Sequence, residues 1–395
     1  MPPEQPFIST EAPISQQEKV HSEPALEREQ QARILCQIGN HHAILESFKT
    51  SENRLLLEES ILRLQSNPTI REQLSDIIPA LAPAHWEMLT LLELFDIETF
   101  EHCIRTYQIL ERKLKSTHPV GNFLRAELEK EGVQRETLTI AALLHDVGKI
   151  GIPFKDLILN NSLTDSQWHR LCINHFCSLD HCSPEHAEAT INEKLASGTE
   201  HNLREKDLVP FSLCLTPEQQ ARLGQSGIDS DQTLGEIINA HQDFSGEIAK
   251  AYGLDDTFIA LVSNHHERPL NTEDILPVSK SALRIATILR FADVFDAIHS
   301  ARSYKKGNPF LTTIAILIQK SRDGFIDPKL AFLWIDEDMR IFETSKENYF
   351  QMLPEAIDHE HIDEIEYSPA TREAIIQKEH TSLQIICTFL KEKLN

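Results

Sequence analysis

The chain has 395 residues, 41% of them apolar, with 38 Lys and Arg against 61 Asp and Glu for a net charge of −23. That size and apolar content suffice for one large domain with attachments. The acidic balance argues against a nucleic acid polymer or an anionic membrane as partner, while a small anionic substrate would need positive charge concentrated locally. No apolar run approaches the ~20 residues of a membrane span. The start, Met-Pro-Pro-Glu-Gln-Pro-Phe, does not read as a signal peptide, and seven cysteines without an obvious disulfide framework suggest a reducing cytoplasm.

In chain order, residues 1–25 are rich in Pro, Glu, Gln and Ser and are expected to be disordered. Over 26–85, apolar residues such as Ile34, Leu35, Ile38, Leu55, Leu56, Ile61 and Leu62 recur at helical spacing. This segment carries no chemical motif. It reads as a helical extension packed on the main domain, with homodimerisation through its helices the alternative. The main domain begins near Trp86. Helical periodicity marks 86–115, 122–131, 136–148, 232–252, 255–266, 279–299 and 309–322, and strand-like alternation is confined to Ala331–Ile335. The fold class is therefore all-α. Residues 336–395 form an acidic tail ending in a helix, Thr371 to Leu394.

The most informative segment is Leu-Leu-His145-Asp146-Val-Gly-Lys149-Ile-Gly-Ile-Pro153. It offers a nitrogen and a carboxylate oxygen to a metal at the end of an apolar helical run. Lys149, three residues on, shares the helical face and is placed to meet an anionic group. Further donors follow the same logic. Glu98 and His102 stand four apart on one helix, His241 opens His-Gln-Asp-Phe-Ser-Gly-Glu-Ile-Ala, His265 and His266 are adjacent, and Asp293 lies in Phe-Ala-Asp-Val-Phe-Asp-Ala-Ile. Five histidines and two or three carboxylates exceed the needs of one tetrahedral zinc. They suit iron or manganese in a site of two or more metals. Cys172, His175, Cys177, His181, Cys182 and His186 also cluster, but their spacing matches no closed zinc site, and reduced helical thiols are the simpler reading.

Together these segments resemble the HD-GYP subgroup of the HD-domain metal-dependent phosphohydrolases, over roughly residues 91–333. The likeness rests on the His-Asp dyad with Gly-Lys-Ile-Gly-Ile-Pro, on His-His-Glu, on Ala-Asp-Val-Phe-Asp-Ala-Ile-His-Ser-Ala-Arg-Ser-Tyr-Lys, and on Gly324-Phe-Ile-Asp-Pro-Lys-Leu. It implies an HD-domain helical bundle over 86–335, with residues 165–231 as an insertion. The metal ligands it implies are His102, His145, Asp146, His241, His265, His266 and Asp293, with Glu98 as the extra ligand of members holding a third metal. The phosphate-contacting residues it implies are Lys149, Arg302 and Lys305. Two metals, or three, would share Asp146 and a bridging hydroxide that attacks phosphorus in line. In that scheme His102, His145 and Asp293 hold one metal and His241, His265 and His266 the other.

The resemblance implies a phosphodiesterase of bacterial signalling acting on a cyclic dinucleotide, cyclic di-GMP first. The chain departs from the family after His-His-Glu, where Glu267-Arg-Pro-Leu-Asn-Thr-Glu-Asp-Ile-Leu-Pro277 replaces a Gly-rich stretch ending in Gly-Tyr-Pro. Without glycine that loop cannot use positive φ for close backbone approach, which bears on substrate identity more than on the metals. The alternatives are a phosphohydrolase of another nucleotide and a non-catalytic module that senses a nucleotide.

Overall fold

In the computed structural model the described residues are 23–36, 39–153, 165–197, 205–225, 228–266, 280–300, 307–359 and 369–394. Residues 1–22, the segment 267–277, Arg302 and Lys305 lie outside them, so the expectations made for those positions have no structural counterpart here. The described residues contain helices and no strand, only an isolated bridge between Pro210 and Thr233. The α-helices in chain order are α1 Glu23–Cys36, α2 His41–Ser47, α3 Ser51–Ser66, α4 Pro68–Gln73, α5 Pro83–Phe95, α6 Ile97–Lys115, α7 Pro119–Glu131, α8 Arg135–Leu144 and α9 Asp165–Asp180. They continue as α10 Pro184–Ser197, α11 Pro217–Gln225, α12 Leu234–Asn239, α13 His241–Ala251, α14 Asp256–Ser263, α15 Lys280–His299, α16 Phe310–Arg322, α17 Pro328–His359 and α18 Pro369–Leu394. The fold is all-α, and no described helix is long and apolar enough to cross a membrane.

Local chemistry explains where the helices start and stop. Asn40, Asn67 and Asp255 accept from the backbone amides of Ala43 (3.0 Å), Thr69 (3.0 Å) and Phe258 (2.9 Å), and so cap α2, α4 and α14. Thr233 and Glu236 form a reciprocal capping box at the start of α12. The expected helix 86–115 is two helices. Asp96 is extended there, and its Oδ2 accepts from the Thr99 amide at 2.9 Å, which caps α6 inside an otherwise unbroken apolar pattern. The expected helix 136–148 ends at Leu144, and Val147–Gly151 is a 3-10 turn. The expected helix 232–252 divides at Ala240. The strand expected at Ala331–Ile335 is instead part of α17. Asp327 caps that helix through the Leu330 amide at 2.8 Å, and the buried Leu330, Ala331, Trp334 and Ile335 follow helical rather than alternating spacing.

Two compact units divide the chain. One comprises Glu23–Glu101 and Leu144–His266, the other His102–Leu143 and Glu267–Asn395. In the first, α1 and α3 pack on α5, and α5 and α13 both pack on the 3-10 turn at 147–151. The N-terminal segment is tied down by charge as well as by apolar contact: buried Glu93 accepts from Arg33 at 3.0 Å and from Arg63 at 2.6 Å. Residues of the 165–231 stretch, among them Trp168, Cys172, Phe176, Ile191 and Phe211, build an apolar cluster that Ile152, Leu234 and Ile237 complete. Burial pushes the Cys172 thiol up to about 12, so it is a protonated core side chain whose Sγ donates to the Glu205 carbonyl at 3.1 Å. In the second unit α7 packs on α15 and α17, and α16 on α17 and α18. There the fully buried Glu379 accepts the Leu311 and Thr312 amides at 3.0 and 2.8 Å, so an anion sits at the start of α16, where the helix dipole favours one.

Candidate metal centre

The His-Asp dyad sits where an apolar helix gives way to a tight turn. Helix α8 ends at Leu144, and the Lys149 amide then donates to the Asp146 carbonyl at 2.9 Å. The turn is pressed against α13. A Cβ at Gly148 would stand 1.9 Å from the His241 carbonyl oxygen and 2.4 Å from the Ser245 nitrogen, so only glycine fits. Ser245 Oγ donates to the His145 carbonyl at 2.7 Å and accepts the Gly148 amide at 2.8 Å. One hydroxyl thus fastens the turn carrying His145 and Asp146 to the helix that begins with His241.

Four donors converge in this unit. Asp146 Oδ1 is 3.0 Å from His241 Nε2 and 3.6 Å from His265 Nε2. His241 Nε2 is 3.2 Å from His265 Nε2 and 2.8 Å from His266 Nε2. All four donor atoms lie within 4.8 Å of one another. The other ring nitrogens are engaged by backbone. His265 Nδ1 lies 2.7 Å from the Val262 carbonyl and His241 Nδ1 bonds the Ile238 carbonyl, which makes each Nδ1 the protonated nitrogen and leaves each Nε2 a lone pair. Gln242 holds the third histidine, its Oε1 accepting the His266 amide at 3.3 Å.

The charges match this reading. Burial pushes the Asp146 carboxyl up, but the Lys149 ammonium and His145 lead the effects that outweigh it and hold the acid well below the usual carboxylate range. Lys149 Nζ is 2.6 Å from Asp146 Oδ2. Burial drives His265 down to about 4, so its ring is neutral near pH 7. His145 is fully buried, edge-on to His265 with 4.8 Å between ring centroids, and its Nε2 is 3.5 Å from Asp146 Oδ2.

This donor set fits a divalent transition ion. Donors held at about 2.0–2.1 Å around one ion stand about 2.9–3.4 Å apart in octahedral or tetrahedral geometry. The separations of His241 from Asp146, His265 and His266 and of His265 from Asp146 run from 2.8 to 3.6 Å, and all four donors lie within 4.8 Å of one another. The His241 and His265 lone pairs, with their Nε2 atoms 3.2 Å apart, repel unless a cation lies between them. A carboxylate beside three imidazoles is the donor chemistry of iron, manganese or zinc sites.

In the other unit, His102 is buried with Asp293 Oδ1 2.9 Å from its Nε2 and Asp296 Oδ2 2.6 Å from its Nδ1. Arg105 Nε donates to Asp296 Oδ1 at 2.9 Å. Burial would raise the Asp296 carboxyl, but His102 and Arg105 overcome it and keep it below the ordinary range. A carboxylate on Nδ1 orients the imidazole so that Nε2 faces Asp293, the arrangement that commonly supports a metal-binding histidine.

The remaining expected residues fall elsewhere. Glu98 is half-buried in the first turn of α6 and joins none of the groups of close donors among the described residues. No cysteine joins those groups either. Arg302 and Lys305 lie outside the described residues. Ser245, Gln242 and Gly148 escaped the sequence reading as supports of the donors. The only signal for them was their place within the His241-Gln-Asp-Phe-Ser-Gly and Asp-Val-Gly-Lys segments.

No curated protein and no solved structure matches the chain. Residues 99–170, which include His102, His145, Asp146 and Lys149, match the family model of the HD domain, an all-helical family whose members are in general hydrolases dependent on divalent metal ions.

Proposed function

We propose that the protein is a metal-dependent phosphodiesterase acting on a small nucleotide, with cyclic di-GMP the first substrate to test. The observation that carries this reading is the convergence of Asp146, inside the residues that match the HD domain, with His241, His265 and His266, which follow them. A divalent ion held there, iron or manganese first, supplies an acidified water near neutral pH and a Lewis acid for a phosphoryl oxygen. The chain's own groups do the rest. His241 and His265 are locked by backbone carbonyls, so they present Nε2 without reorganisation. Lys149 keeps Asp146 ionised and brings a cation to the centre, where low local dielectric strengthens its pull on a phosphoryl oxygen. Arg302 and Lys305 are assigned to the substrate phosphate, and His102 with Asp293 to a further ion. Against a net charge of −23, these local cations are what would draw a small anion.

The choice of cyclic di-GMP rests on the resemblance to HD-GYP enzymes. The segment 267–277 follows His266 directly and lacks the glycines and Gly-Tyr-Pro of that group. That favours a second reading, hydrolysis of a different nucleotide by the same centre. The test incubates manganese- or iron-loaded protein with cyclic and linear nucleotides and with bis(p-nitrophenyl) phosphate. At least one should be cleaved, and Asp146→Asn should lose roughly 100-fold or more in rate. Failure of the metal-loaded protein to cleave any of them would leave a non-catalytic nucleotide sensor.

A further inference from the structure

A second group of metal-type donors lies in the first unit, outside the 99–170 match and unused by the reaction proposed above. Its residues are His41 and His42, which open α2, and Glu247, six residues beyond His241 on α13. Successive side chains on a helix project about 100° apart and ordinarily meet different neighbours. Here both imidazoles turn to one carboxylate oxygen. His41 Nε2 is 2.7 Å and His42 Nε2 3.5 Å from Glu247 Oε2, and the two rings lie 4.1 Å apart between centroids. The donor atoms of all three residues lie within 4.8 Å of one another.

The surroundings fix one donor and leave the others open. His41 is only 5% exposed and packs on Phe244 with 4.8 Å between ring centroids. A Cβ at Gly151 would stand 3.0 Å from its Nδ1, so the glycine leaves room for the ring. The His42 and Glu247 side chains are 72% and 52% exposed. The group is thus preorganised on its inner side and accessible to solvent on its outer side.

We infer that His41, His42 and Glu247 form a separate site for a divalent transition ion of the zinc class, with water completing the coordination. Two imidazoles and one carboxylate are a common protein donor set for such ions. The observed nitrogen–oxygen separations bracket the roughly 2.9–3.4 Å expected between neighbouring ligands of one ion. The ion would join α2 of the N-terminal segment to α13, the helix that begins with His241, so it fastens the extension to an element of the candidate centre. This inference does not depend on the phosphodiesterase reading, because none of its donors is assigned there.

The test is zinc and cobalt binding by the full chain, read by metal analysis, by the visible absorption of bound Co²⁺ and by thermal unfolding with and without zinc. His42→Ala and Glu247→Gln alter exposed side chains and leave the core intact. Each should bind about one equivalent less than wild type at low micromolar zinc, and each should lose most of the zinc-dependent rise in unfolding temperature. A double variant, Asp146→Asn with His241→Ala, should keep the cobalt absorption of this site. If that double variant does not fold, the comparison of His42→Ala with wild type decides alone. Equal zinc stoichiometry and equal thermal shift in wild type, His42→Ala and Glu247→Gln would overturn the site and leave Glu247 as a plain hydrogen-bond acceptor for two imidazoles.

Discussion

Ser245 donates its hydroxyl to the His145 carbonyl at 2.7 Å, so the residue beside Asp146 is held by a helix about a hundred positions away in sequence. The same oxygen accepts the Gly148 amide at 2.8 Å, and all of these groups are buried. Ser245→Ala should leave a buried carbonyl and a buried amide without that partner, at a cost of about 1–3 kcal/mol. Metal affinity should fall with it, because the Asp146 turn loses its anchor on α13. Urea unfolding and metal titration check this pair of effects, and wild-type values for both would show the bond to be incidental.

Gly148→Ala should be more damaging. Its new methyl would meet backbone, 1.9 Å from the His241 oxygen and 2.4 Å from the Ser245 nitrogen, and backbone cannot rotate away as a side chain can. Overpacking of this kind costs about 1–3 kcal/mol or more. The expected result is a protein with reduced metal content and a lower unfolding midpoint than Ser245→Ala.

The second unit offers a test free of metal chemistry. Lys113 is 1% exposed, and its Nζ lies 2.6 Å from Glu337 and 2.5 Å from Asp338. Lys113→Ala takes the ammonium from buried Asp338 and from Glu337, which keeps its bond from Ser116, and should cost about 3–5 kcal/mol. Calorimetry of the variant, with metal content at wild-type level, checks both the magnitude and the independence from the centre.

His265 makes stability depend on pH in the metal-free protein. Burial lowers its pKa to about 4 from an ordinary value near 6.5. The neutral ring's contribution is therefore complete above about pH 6.5 and is lost as pH falls through 4. Urea midpoints of the apo protein should decline across that window, and the decline should be shallower in His265→Gln. An identical slope in both proteins would assign the pH dependence to other groups.

Which parts of this were legible in the sequence follows from the range of the interactions. Local signals carried the all-α class, since apolar residues at helical spacing and Asn, Asp and Thr caps act within one turn of chain. The same signals misplaced boundaries wherever a cap lay inside an apolar run. Asp96 ends α5 and starts α6 through its bond to Thr99, and nothing in the apolar pattern marks that break. The aromatic alternation of Ala331–Ile335 suggested a strand because five residues are too few to separate a period of two from a helix. Asp327 and Pro328 held the deciding information. At the site, the His-Asp turn and the later histidines were visible as donor types. That His241, His265 and His266 share one point with Asp146 Oδ1 is a long-range fact. So is the need for glycine at 148, which only the approach of α13 reveals.

The central claim is that Asp146 and the three histidines hold a divalent ion. The most direct measurement is metal content by elemental analysis after reconstitution with iron, manganese or zinc, comparing wild type with Asp146→Asn and with His241→Ala. His42→Ala serves as a background that lacks the separate His41 site. In that background the protein with an intact centre should retain at least one equivalent of tightly bound ion, and adding Asp146→Asn or His241→Ala should remove it while helical content is preserved. Retention of the same metal content in those variants, or less than one equivalent in the protein with all four residues present, would contradict the account.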